Sequence, residues 1–335
     1  MAFLDTIFQN PLLFWTVIAI GAVVFVNGWT DAPSAIATCV ASGAMPLGRA
    51  AALAAICNLL GIGLSAAISP AVIATVHGMI CLPPDDGMSL AVILCAMTAT
   101  AVWAVVAWLF GIPTSESHAL LSGLSGAAVA YGGARCVVGI AWVRVIAGLL
   151  LSLFGGAFCG FSTYLASKRF SGRERCSVRK AKTVLSAGAS AMALMHGAQD
   201  GQKFIGLWLL AFSLGGVGKP HSVVIILACA LFMGAGTLLG GGRIIKTLGR
   251  DLVQTGYREG VSADLGAAVC LLFLTLGGFP VSTTHTKTAA LMGVGMARGR
   301  RGMDGKTALR LVLVWLLTFP ACFVFSYFTM RLVMR

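Results

Sequence analysis

The sequence predicts an all-α polytopic membrane protein of two related halves, an inverted repeat with broken or re-entrant helices. Three observations predict it. Of the 335 residues, 58% are hydrophobic and only 10% charged. A soluble domain carries about 25% charged residues, so this chain could not keep its surface solvated. Apolar runs near the roughly 20 residues of a spanning helix recur along the chain. Finally, two pairs of polar motifs stand at matching distances in the two halves, and an internal repeat decides the architecture.

The first motif pair is Asn27-Gly28-Trp29-Thr30-Asp31-Ala32-Pro33-Ser34 and His196-Gly197-Ala198-Gln199-Asp200-Gly201-Gln202-Lys203. Gly28 matches Gly197, Thr30 matches Gln199, Asp31 matches Asp200 and Ser34 matches Lys203. The second pair is Pro113-Thr114-Ser115-Glu116-Ser117-His118 and Pro280-Val281-Ser282-Thr283-Thr284-His285. Asp31 precedes His118 by 87 residues, and Asp200 precedes His285 by 85. Gly126 and Gly293 each lie eight residues past their histidine. The domain reading is a first membrane repeat over 1–166, a basic cytoplasmic loop over 167–183 and a second membrane repeat over 184–335.

Taken in order, residues 11–26 form an apolar run leading into the first charged island. Residues 47–68 are rich in Ala and Leu, suited to close helix contact in lipid, and end near Ser69-Pro70. Residues 81–87 form a polar turn with two acids, expected on the non-cytoplasmic side. A span follows at 88–110, then a small-residue run at 119–134 and an apolar stretch at 138–165 interrupted only by Arg144. In the second half, 184–196 leads into the second island and 204–217 continues it. Residues 221–240 form a span, and 242–264, with mixed charge, reads as an amphipathic surface linker. Residues 265–279, a short Gly-broken 286–297 and a last span at 307–330 complete about 10–12 membrane segments. Short segments interrupted at matching places of two halves mark a transporter's binding site. Helices break inside a membrane only where protein or a wet cavity satisfies the freed backbone. A channel with re-entrant pieces and a membrane-embedded enzyme are the competing classes.

The net charge of +13 is concentrated at segment ends. Seven basic residues and one acid lie within 168–182, and Arg298, Arg300, Arg301, Lys306 and Arg310 face only Asp304. Such clusters mark cytoplasmic loops. They are short and carry no interleaved aromatics, so no nucleic-acid role follows. Met1-Ala2-Phe3-Leu4-Asp5 lacks the basic start of a signal peptide, and the first apolar run is expected to be retained. The ten cysteines include no CxxC pair. They read as small hydrophobes, with no disulfide framework and no metal site.

Asp31 and Asp200 are costly in hydrocarbon and mark a cation site or a proton-binding carboxylate. Thr30 and Gln199, each preceding its aspartate, belong with this coupling centre. Ser34, Thr114, Ser115, Ser117, Ser282, Thr283 and Thr284 offer hydroxyls, and Gln202 an amide, to a compact oxyanion. Broken helices would add free N–H groups and a positive dipole end. Lys203 and Lys287 could contact that anion or tie an aspartate. Glu116 stands where the second half has Thr283, so the halves are chemically unequal. It could carry a proton or pair with a lysine. Asn27, His118, His196 and His285 read as site-supporting; His77 and His221 read as interfacial.

These four linked motifs resemble those of inorganic phosphate transporters of the PiT (phosphate permease) type. That family carries a Gly-x-Asn-Asp-like signature in each half, a Pro-Thr-Ser-Ser-Ser-His-like element and a Pro-Val-Ser-Thr-Thr-His element. The resemblance covers nearly the whole chain, in order. It implies ion-coupled symport of inorganic phosphate by alternating access, an inverted-repeat fold of about twelve membrane segments, dimers, and both termini outside. It implies a multi-pass protein of the plasma membrane of a bacterium, with no cofactor beyond a bound Na+. Thr30, Gln199, Ser34, Lys203 and Glu116 depart from the family pattern, several of them at positions resembling cation ligands of sodium-coupled members. Sodium and protons therefore both stay open as the coupling ion. Some bacterial members resemble proton-coupled carriers of phosphate or metal phosphate. Sulfate or another oxyanion, and an anion channel, are the alternatives. No Gly-x-x-x-x-Gly-Lys-Ser/Thr nucleotide loop is present, and no covalent chemistry is called for, so the chain is not read as an enzyme.

Overall fold

A computed structural model describes residues 2–68, 71–170, 177–217, 222–239, 241–299 and 302–335. Lipid offers backbone groups no hydrogen bonds, so a chain this apolar satisfies them within helices. The first half runs α1 (Ala2–Gln9), α2 (Pro11–Thr30), α3 (Ala32–Ala41), α4 (Leu47–Ile68), α5 (Ala71–His77), α6 (Asp86–Leu109), α7 (Glu116–Gly132) and α8 (Gly139–Phe170). The second half runs α9 (Val178–Leu214), α10 (Ser222–Leu239), α11 (Gly242–Lys246), α12 (Tyr257–Leu276), α13 (Thr283–Arg298) and α14 (Gly305–Val333). A wide turn over Thr247–Leu252 extends α11. Polar residues set the starts. Asn10 accepts from Leu13 N (3.1 Å), with Pro11 opening α2. Asp85 caps α6 through Met88 N (2.7 Å), and Asp304 caps α14 through Thr307 N (2.7 Å).

Six spans among the described residues are long and apolar enough to cross a membrane. A further pair, Val223–Leu239 with Gly242–Leu252, is bent by 66°. The remaining expected segments are the polar α9 and the shorter α5, α7 and α13. The nine cysteines among the described residues are free thiols.

The halves repeat one series of elements and exchange partners. α4 packs along α9 while α10 packs along α2, and α14 packs on α7 while α13 packs on α8. Glycines make these crossings close. A β-carbon at Gly28 would strike the Met233 carbonyl, and one at Gly197 would strike the Asn58 backbone. The matched Gly126 and Gly293 meet the Phe323 and Ala157 carbonyls in the same way. Small residues let backbones approach in this manner in membrane proteins.

Three readings need correction. The second charged island does not break its helix: α9 runs unbroken for 37 residues. In the first half α2 ends at Thr30, Asp31 is a turn, and α3 follows with Pro33 in its first turn. Proline donates no N–H and crowds the preceding turn; Gln202, at the matching place in α9, does neither. Residues 242–264 are no surface linker, because Leu248, Leu252, Val253, Ser262 and Asp264 are all buried. α13 is continuous, its glycines serving close contact rather than breaks.

Residues 171–176 of the basic stretch, Arg300, Arg301, His221 and Ser69-Pro70 lie outside the described residues. Residues 167–170 belong to α8, and 178–183 to α9, which Ser177 caps. The basic excess predicts that both clusters face the cytoplasm. Single cysteines placed at Arg179 and Lys306, on a background without the native thiols, should resist an impermeant thiol reagent in intact cells. Labelling of either from outside would reverse the orientation.

Candidate functional site

The site forms where α2, α7, α9 and α13 converge. The turn at Asp31 sets its carboxylate inside, with Thr284 and the backbone N–H of Glu116 beside it. α7 and α13 begin at capping serines: Ser115 Oγ accepts from His118 N and Ser282 Oγ from His285 N, each at 3.1 Å. Both helices therefore bring N-terminal ends, with their positive dipole, to the centre. α9 places His196, Gln199, Asp200 and Lys203 at spacings of three and four residues, in one sector of the helix.

Asp200 is the hub. Its Oδ1 accepts from Lys203 Nζ at 2.6 Å and Ser117 Oγ at 3.5 Å. Its Oδ2 accepts from Thr283 Oγ1 at 3.2 Å and Asn27 Nδ2 at 3.3 Å. Lys203 also donates to Ser117 Oγ (2.5 Å) and the Val281 carbonyl (2.6 Å). Asn27 Nδ2 lies 3.5 Å from Asp31 Oδ2. The Thr30 hydroxyl donates to Glu116 Oε1, and Thr284 Oγ1 donates to Ser34 Oγ at 3.3 Å. Every one of these side chains is at most 3% exposed, so the centre is closed to water. It gathers three carboxylates, Asp31, Glu116 and Asp200, around one ammonium. Asp31 Oδ1, Glu116 Oε2 and Asn27 Oδ1 have no hydrogen-bond partner, and unpaired buried oxygens are costly. Such hard oxygens fit protons or a small hard cation. Among the described residues no group of three or more His, Cys, Asp or Glu is placed to hold a metal ion.

The sequence model described as the phosphate transporter family matches residues 27–187 and 180–326, covering both motif pairs. The chain belongs to this family. It is similar to a probable low-affinity inorganic phosphate transporter of Mycobacterium tuberculosis (strain ATCC 25618 / H37Rv), 34% identical over 97% of this chain and 78% of that one. The like-named protein of Bacillus subtilis (strain 168) is 32% identical over 88% of this chain and 89% of its own. That of Rhizobium meliloti (strain 1021) is 31% identical over 98% of this chain and 100% of its own. A solved structure titled "The sodium-dependent phosphate transporter" superposes with a TM-score of 0.83 at 18% identity, over 97% of this chain and 99% of that one. This likeness shows the fold alone, a multi-pass helical architecture.

Within this family member the residues singled out by sequence divide. Asn27, Thr30, Asp31, Ser34, Glu116, Ser117, Asp200, Lys203, Thr283 and Thr284 come together. Ser115 and Ser282 spend their hydroxyls as caps. Thr114 faces away, bonded to Trp103 Nε1 at 3.0 Å and Thr318 at 3.2 Å. Gln199 is taken up by the Phe279 carbonyl and the Thr275 hydroxyl, both at 2.7 Å. Gln202 accepts from Val72 N at 3.3 Å, serving the start of α5. His118 and His285 meet with ring centroids 4.6 Å apart, between Phe319 and Trp315. His77 bonds the Gly206 carbonyl at 2.7 Å. Lys287 pairs directly with Asp264, whose oxygens also take the Thr38 hydroxyl at 2.9 and 3.0 Å.

Sequence reasoning passed over Asn58, Thr38 and Asp264. Asn58 stands alone among Ala and Leu in α4, and that isolation in a membrane helix was its signal. Asp264 was hidden by counting it with a supposed linker.

Proposed function

We propose that this family member is a secondary transporter carrying inorganic phosphate across the cell membrane by alternating access, in symport with protons. The observation behind this reading is the charge balance of the closed centre. Three carboxylates against one ammonium are formally negative before any anion arrives. Phosphate can join them only with compensating positive charge, because unpaired charge is prohibitive in a low-dielectric site. Coupling is then built into loading.

Lys203, Ser117, Thr283, Thr284 and Ser34 would bind the phosphate oxygens, with the N-terminal ends of α7 and α13 adding positive potential. Glu116 would carry the proton: Thr30 holds one of its oxygens, and the other is free to be protonated. A carboxylate beside a loaded anion favours its neutral form. Protonation would thus accompany phosphate entry from one side, and both would leave on the other.

A sodium-coupled reading is favoured by the unpaired oxygens of Asn27, Asp31 and Glu116, which together could ligate a small cation. The names of the relatives favour phosphate over sulfate. Passage as metal phosphate and assembly as a homodimer rest on the family resemblance. Proteoliposome uptake under separately imposed proton and sodium gradients decides the coupling ion. The wild type should accumulate phosphate on a proton gradient. Glu116→Gln should lose the share of that accumulation driven by its own proton while still binding phosphate. Accumulation only on sodium, unchanged in Glu116→Gln, would remove Glu116 from coupling. Uptake of sulfate with phosphate ignored would overturn the substrate.

A further inference from the structure

His196 is completely buried on α9, one turn before Asp200. The close crossing of α9 and α4 at Gly197 and Gly61 brings Asn58 against it. A directed hydrogen-bond chain then assigns its tautomer. The Thr237 hydroxyl donates to the Met233 carbonyl at 2.8 Å, one turn back on α10. Having spent its only hydrogen, Thr237 accepts from Asn58 Nδ2 at 3.4 Å. Asn58 therefore turns its carbonyl Oδ1 to His196, which must donate from Nδ1 at 3.1 Å. The other ring nitrogen, Nε2, is left as a lone pair. It lies 3.4 Å from Asp200 Oδ2 and has no hydrogen-bond partner.

A lone pair facing a carboxylate oxygen is a contact that one added proton turns from repulsive to attractive. The carboxylate does not need that proton. Lys203, Ser117, Asn27 and Thr283 already donate to its two oxygens, and a carboxylate held by donors serves as the acceptor of the pair. The proton belongs on the ring.

We propose that His196 is a proton-carrying residue of transport, binding a proton at Nε2 against Asp200 while Asn58 holds Nδ1–H. This rests on the coupled-carrier reading above and adds a second proton site to Glu116. The step is a plain protonation: Nε2 takes a proton from water on the entry side and keeps Nδ1–H. It returns the Nε2 proton to water on the exit side. Each loaded cycle thereby brings one more positive charge to a centre that must accept phosphate. The charged groups acting on the ring are Asp200 and Lys203 of its own helix. α4 and α10 present the neutral Asn58 and Thr237. The relay exists in one half only. Asn27 holds the place of His196 before the matching glycine, and Gly28 packs against Met233 where Gly197 packs against Asn58.

The test uses the full-length protein in proteoliposomes, recording internal pH together with labelled phosphate influx. His196→Gln should carry about one proton fewer per phosphate than wild type, whatever its rate. Asn58→Asp puts a negative charge on the Nδ1 side and favours the doubly protonated ring. It should move the midpoint of the uptake–pH profile up by roughly 1–3 units. Unchanged stoichiometry in His196→Gln, or an unmoved midpoint in Asn58→Asp, would overturn the role. A third readout needs no transport: nitrogen-15 histidine NMR of the purified protein, with the His196 signals identified by their loss in His196→Gln. The neutral ring should carry its proton on Nδ1 and not on Nε2; the reverse tautomer would sink the inference. If no variant, wild type included, moves phosphate, the carrier reading fails, and the transport role of His196 fails with it. If wild type is coupled and His196→Gln is equally so, only the histidine assignment falls.

Discussion

Asp200→Asn will abolish phosphate uptake and destabilise the protein by about 3–5 kcal/mol, the usual cost of stripping one partner from a buried ion pair. The substitution keeps the shape and removes the charge. Lys203 Nζ would remain fully buried with neutral acceptors only, Ser117 Oγ, the Val281 carbonyl and the amide oxygen. The amide that replaces the carboxylate also presents a donor where Asn27, Thr283, Ser117 and Lys203 all offer donors. Asp200→Asn combined with Lys203→Met should recover most of the stability, since neither member of the ion pair is left without its partner. It should not recover uptake, because the positive group that would meet phosphate is gone. Thermal unfolding in detergent reads the first quantity and proteoliposome influx the second. An Asp200→Asn variant that still accumulates phosphate would remove this pair from the transport centre.

The second large effect lies away from the motifs that dominate the sequence. Lys287 and Asp264 are fully buried and in direct contact, with Thr38 bridging from α3. Lys287→Met alone should cost about 3–5 kcal/mol by leaving Asp264 ionised and unpaired in the interior. Replacing both, Lys287→Met with Asp264→Leu, should return stability to within about 1 kcal/mol of wild type or above it, as replacement of a buried pair by apolar groups does elsewhere. The first half shows that the position tolerates this: Leu120, two residues past His118 as Lys287 is two past His285, is buried in apolar surroundings. Thr38 would fall back on a carbonyl of its own helix. A double variant as unstable as the single one would mean that the pair does more than tie α13 to α12 and α3.

The fold was largely legible in the sequence because its causes are local. A membrane-spanning helix is a run of apolar residues, and a repeat is a coincidence of spacing; both are visible along the chain. The Gly126–Gly293 match likewise marked two equivalent helix crossings, since only a missing side chain lets a carbonyl come so near. The break at Asp31 was legible through Pro33. Its expected counterpart at Asp200 failed because the motif was read as a unit, although only the proline interrupts the backbone.

By itself the sequence determined the class and singled out Asp31, Glu116, Asp200 and Lys203, because charges inside hydrocarbon stand out wherever they fall. Only the tertiary structure decided who serves whom. Thr114 and Lys287 look like neighbours of the islands in the chain, yet they bond to Trp103 and Asp264 elsewhere. Asn58, far from every motif, reaches His196 across a helix crossing and sets which of its nitrogens is free. The reason is geometric. A helix turns neighbouring residues about 100° apart, so adjacency in a motif does not place side chains in one cavity, and a partner's identity depends on which helix packs opposite.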